Sequence, residues 1–158
     1  MADTLQSDME KRAILEPRDL KERHDLLSAR IAGQKDELEN RRFQRAVDSG
    51  LYGWAKPYAK EGFCVAYPES RSDFITEGQK LNHCVGAKTY YENHIFGRNM
   101  VFFIRKTEAP GKPYFTAEIE MATGRVRQLY GFGDSSAPKE VRDCTERFAR
   151  AAVRWKSA

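Results

Sequence analysis

Apolar residues first recur with helical spacing between Pro17 and Asp48, where Leu20, Leu27, Ile31 and Leu38 form a single stripe. Pro17 suits a first helical position, Asp19 and Glu22 favour the positive end of a helix dipole, and Ser49-Gly50 ends the pattern. His24, Gln34 and Arg41 interrupt the heptad seam. The stripe therefore admits three arrangements: packing on its own domain, lying along a partner, or pairing with a second copy as a homodimer. Gly50, Gly53 and Pro57 then punctuate a linker carrying Tyr52, Trp54 and Tyr58.

After Gly62 the β-branched and aromatic run Phe63 to Tyr67 reads as a strand, closed by Pro68. Ser70 and Asp73 give a capping signal for a helix from about Asp73 to Leu81, with Phe74 and Leu81 inward and Glu77, Gln79 and Lys80 outward. A second short helix, Lys88 to Phe96, stops at Gly97. Met100 to Lys106 opens with an unbroken apolar run, the pattern of a strand buried on both faces. Tyr114 to Met121 alternates, with Thr116, Glu118 and Glu120 opposite Phe115, Ala117, Ile119 and Met121. Past the turn Ala122-Thr123-Gly124 the alternation resumes, with Val126, Gln128 and Tyr130 on one side. A glycine-rich loop, Gly131 to Ser136, precedes a last helix from Pro138 to about Lys156, whose core side is Val141, Phe148, Ala152 and Trp155. These elements predict an α+β fold: a small antiparallel meander of three or four strands packed with helices and preceded by a long N-terminal helix. The helical region takes residues 1–60 and the α+β domain residues 61–158.

A chain of 158 residues can bury about two thirds of its unfolded surface. With 41% hydrophobic, 32% charged and 11% aromatic residues it is globular rather than disordered. No run approaches the roughly 18 apolar residues of a membrane span, and the polar start lacks a signal-peptide pattern. A cytoplasmic protein with no membrane partner is expected. Cys64, Cys84 and Cys144 are odd in number and lack metal-ligand spacing, which fits a reducing compartment and buried thiols. A net charge of +4 and a pI near 9.0 permit DNA or RNA as a partner without requiring it. Arg41, Arg42 and Arg45 at one helix end, and Arg147, Arg150 and Arg154 on the last helix, are the candidate phosphate contacts. The competing reading for both groups is a solvated helix face.

One order of residues is more particular. It runs Pro68-Glu69-Ser70, Glu77-Gly78, Leu81-Asn82-His83-Cys84-Val85-Gly86, Phe103-Ile104-Arg105, Pro113-Tyr114-Phe115-Thr116, Gln128 and Gly131. Over roughly Phe63 to Trp155 this resembles the PcfJ-like family of conjugative plasmids, phages and related mobile elements, with residues 1–60 outside the likeness. The resemblance implies a setting in DNA transfer or phage biology and supplies no reaction. Its motif positions fall here on His83, Cys84, Gly86, Arg105, Thr116, Gln128 and Gly131.

The same residues allow a site. Adjacent side chains on a helix do not face one another, so His83 and Cys84 are not a base and its thiolate. His83 could instead transfer protons with Glu118, and these two are the candidate catalytic residues. Arg105, Thr116, Gln128 and Gly131, with Cys84, are the candidate ligand contacts, Arg105 for an anion and Gln128 for a planar polar group. The alternative is a solvated sheet face in which Arg105 pairs with a glutamate. His83, Cys84 and His94 could ligate zinc, but no paired Cys-x-x-Cys spacing supports it, so neither metal nor cofactor is expected. Three functions stay open: an accessory or regulatory protein of a mobile element that binds nucleic acid or a protein machine, an enzyme with a nucleotide or small-molecule pocket at His83, and an inhibitor or adaptor acting on a host protein.

Overall fold

The structure is a computed structural model that describes residues 17–83 and 88–158. Helix α1 is Pro17–Asp48 and is followed by strands β1 (Ala59–Lys60) and β2 (Phe63–Ala66). Helices α2 (Arg71–Leu81) and α3 (Lys88–Ile95) come next, then strands β3 (Asn99–Lys106), β4 (Phe115–Glu120) and β5 (Val126–Tyr130). A 3-10 turn at Phe132–Asp134 leads into helix α4 (Lys139–Ser157). The described residues fall into two compact units, divided between Glu39 and Asn40. In the first, Leu20, Leu27, Ile31 and Leu38 are all exposed.

Within the second unit the architecture is α+β, with five antiparallel strands in the order β1-β2-β3-β4-β5. The expected three or four strands become five because β1 has only two residues, too short to show a period of two in the sequence. Both faces of the sheet are covered. On one, Met100, Phe102, Ile104, Phe115, Ala117 and Ile119 meet Val141, Phe148, Ala149 and Ala152 of α4. On the other, Val101 and Phe103 meet Phe74 of α2, Tyr91 of α3 and Phe43 near the end of α1. This two-sided covering explains the unbroken apolar run at the start of β3.

Three local choices of the chain place the second layer. The backbone N–H groups of Glu69 and Ser70 donate to Asp73 Oδ2 at 2.8 and 3.2 Å, so the expected cap starts α2, two residues earlier than the periodicity predicts. Glu77, expected to point outward, is buried, because Phe74, Glu77, Gly78 and Leu81 recur at the i, i+3, i+4, i+7 spacing of one face. Asn82 ends the helix in the left-handed region at φ 49°, a conformation asparagine tolerates better than most residues. The next backbone N–H, of His83, folds back to donate to Gly78 O at 3.0 Å.

Candidate functional site

The polar face of β4 is where the two helices and the sheet converge. Opposed residues of antiparallel strands share a face, so the pairs Phe103↔Thr116↔Tyr130 and Val101↔Glu118↔Gln128 form two rows under α2 and α3. Register shifts between Glu118 and Ile119, where Ile119 faces Val126 and leaves Arg127 as the extra residue. This bulge separates Val126, packed on the α4 core, from Gln128 and Tyr130 on the opposite face. Plain alternation, which put Val126, Gln128 and Tyr130 together, fails at this step.

A small concavity opens over these rows, lined by His83, Tyr90, Thr116, Glu118, Gln128 and Asp134, with about 20 Å³ of free space inside. That is room for one water-sized group. His83 reaches the floor through Nε2, 2.9 Å from Thr116 Oγ1. The Tyr90 hydroxyl donates to Gln128 Oε1. Because that oxygen is engaged, the amide nitrogen is the end of Gln128 that can donate to a ligand. Thr116 and Glu118 are only 7% and 6% exposed, so the polar face of β4 is not the solvated surface its alternation allows.

The electrostatics single out Glu118. Among the described residues its Oε2 is the one buried side-chain oxygen or nitrogen without a hydrogen-bond partner. Burial pushes its carboxyl above the ordinary glutamate value, against the opposing pull of Arg127 and a hydrogen bond with Asn99. Burial also holds the His83 imidazole below its ordinary value, while its backbone hydrogen bond and the Asp134 and Glu77 carboxylates act the other way. The two titrating groups of one concavity are thus displaced toward each other, the acid toward its neutral form and the base likewise. The walls carry unusual backbone: Asn82, Gly133 and Asp134 adopt positive φ of 49°, 59° and 60°. Non-glycine residues held there mark a place where surrounding structure imposes a conformation.

The remaining candidates fall elsewhere. Arg105 shares the face of Thr116 and Glu118, yet its guanidinium forms a buried two-bond ion pair with Glu77, one bond of 2.8 Å, and sits over the Phe103 ring. It lies outside the His83 concavity, and its charge is met by a carboxylate of the protein itself. Gly131 packs instead of lining the pocket: a Cβ there would meet Phe115 Cε1 and Ser135 Oγ, each at 2.8 Å. Cys84 and Gly86 lie outside the described residues. His94 is buried between rings rather than beside His83. Arg42 stands 3.9 Å from Glu92 of α3, whereas Arg147 holds Glu61 with bonds of 3.0 and 3.2 Å from α4, on the other face of the sheet. The helix carrying Arg41, Arg42 and Arg45 thus packs its end on one face of the sheet, and the helix carrying Arg147, Arg150 and Arg154 packs on the other. Sequence reasoning gives Tyr90 only a packing role and no role to Tyr130, while the Gly131 to Ser136 loop that it expects to close the pocket brings Asp134 to the wall.

Fold and site together define an α+β domain with a polar pocket set on the face of an antiparallel sheet. A family model described as PcfJ-like protein matches residues 1–143, and the chain belongs to that family. The match takes in residues 1–60, which the resemblance left outside, and stops short of Trp155. An uncharacterized protein of Listeria innocua is 28% identical over 144 residues, covering 91% of this chain and 30% of the relative. The chain thus spans about a third of the length of the curated relative it matches. No solved structure matches it. No helix among the described residues is long and apolar enough to cross a membrane.

Proposed function

We propose that this domain is an enzyme whose pocket receives the polar edge of a planar, amide-bearing or base-bearing substrate, with His83 and Glu118 exchanging a proton with it. The observation that carries this reading is the buried, unpartnered Oε2 of Glu118 in a concavity also lined by His83. A group that costs stability and is retained fits a site kept for function. The space within admits only the tip of a ligand. A planar body would remain outside, where Tyr130, 41% exposed, lines the pocket and Phe132, 67% exposed, follows two residues later. Aromatic faces of this kind support stacking of bases.

An accessory or regulatory role in a plasmid or phage, with DNA, RNA or a protein machine as partner, rests on the family resemblance and the arginines. The division of those arginines between two sides of the sheet gives a nucleic acid no single basic track, which ranks that role below the pocket. The test is thermal denaturation of the full chain with a panel of nucleobases, nucleosides, nucleotides and nicotinamide, repeated on Glu118→Gln. At least one compound should raise the melting temperature of the wild type saturably and lose most of that effect in the variant. No response from the whole panel, or an equal response in both proteins, overturns the proposal.

A further inference from the structure

A second cavity shares no lining residue with the His83 pocket and draws its walls from both core clusters. It is a cleft of about 550 Å³ between the end of α1, the 49–55 linker, the end of β2 and α3. Phe43, Val47, Leu51, Tyr52, Ile95 and Met100 supply its apolar lining, and all its walls belong to the unit of residues 40–158. That size and lining are those of small-molecule sites, which are mainly apolar with a few fixed polar groups.

His94 is the fixed polar group. It is 3% exposed and lines the cleft. Its Nδ1 accepts the backbone N–H of Val101 at 2.9 Å, so this nitrogen carries no proton and the neutral ring bears its hydrogen on Nε2. Burial drives the imidazole down to a pKa of about 3, which keeps it neutral throughout the physiological range. The ring is clamped by Phe43, Tyr52 and Phe74 at centroid distances of 5.9, 4.4 and 5.2 Å. The Tyr52 hydroxyl also donates to the His94 carbonyl at 2.5 Å. Among the described residues no group accepts from Nε2–H, and since this nitrogen is not one of the enclosed atoms left without a partner, it opens to the cleft that the ring lines. A donor held this rigidly and facing a mainly apolar cleft is matched by a ligand that brings an acceptor.

We infer that this cleft binds a small, largely apolar molecule through a hydrogen-bond acceptor, such as a ketone or acyl carbonyl, received by His94 Nε2–H. The inference is independent of the proposed chemistry at His83. Acetophenone and ethylbenzene provide matched probes, alike in shape and differing in the acceptor. Each is titrated into the full chain and followed by amide NMR at Gly50, Gly53 and Val101. Acetophenone should produce saturable shifts at these amides and bind about five-fold more tightly than ethylbenzene, as a single hydrogen bond of ordinary net strength requires. Val47→Trp, at a position 45% exposed on the cleft wall, should fold normally and weaken both probes at least ten-fold. Equal affinity for the two probes, no saturable shift, or undiminished binding to the folded Val47→Trp protein overturns the inference.

Discussion

Replacing Glu77 with alanine tests whether Arg105 belongs to the scaffold. Side-chain exposures of 9% for Arg105 and 3% for Glu77 place the whole ion pair out of water, with two hydrogen bonds joining its ends. Removing one partner leaves the other charge buried and uncompensated, a loss of about 3–5 kcal/mol, whereas an exposed pair contributes about 1 kcal/mol or less. For a chain of this size the loss corresponds to a melting temperature lower by roughly 6–20 °C. Replacing both partners, as Glu77→Leu with Arg105→Met, restores an apolar contact in place of the orphaned charge and should recover most of that loss. Calorimetry on the wild type, both single variants and the double variant measures the coupling directly. A Glu77→Ala penalty below about 1 kcal/mol, or a double variant no more stable than the singles, would refute the structural role of the pair.

Other outcomes follow from individual contacts. Gly131→Ala should cost about 1–3 kcal/mol in urea denaturation, since its Cβ would press on the Phe115 ring and Ser135 Oγ at 2.8 Å. Phe148→Ala should cost about 3–5 kcal/mol, because the fully buried ring contacts Phe102 at 4.4 Å between centroids in the α4 core. Glu118 has a carboxyl pKa raised above 4.5 on folding, so the folded chain keeps a proton that the unfolded chain has released. Its contribution is complete at low pH and fades as pH rises through the folded midpoint. Glu118→Gln should therefore gain on the wild type in urea midpoint as pH increases from about 4.5, and a pH-independent difference would contradict the buried carboxyl. Asp134→Asn should lower the His83 midpoint seen by NMR, because it removes a carboxylate that favours the charged imidazole.

The fold was legible wherever period and punctuation agreed. Strands β3 and β4 showed themselves by an apolar run and an alternation, and Ser70 with Asp73 announced α2. What escaped depended on partners distant in sequence. Glu77 looks like a solvent-facing residue until Arg105, 28 positions later, is seen to neutralise it. Arg127 joins an ordinary alternating strand until pairing with β4 extrudes it as a bulge. The conjunction of His83 with Thr116 was legible as a candidate because His83 follows the end of one helix and Thr116 lies on the polar side of an alternating strand. Tyr90 was not, since only the packing of α3 brings it to the same wall as Gln128.

The most direct measurement of the pocket is an NMR titration of the full chain that follows the Glu118 carboxyl carbon and the His83 ring together. Enclosure in one desolvated concavity predicts a Glu118 midpoint above 4.5 and a His83 midpoint below 6.5. Midpoints at those two ordinary values would place both groups in open water and contradict a shared site.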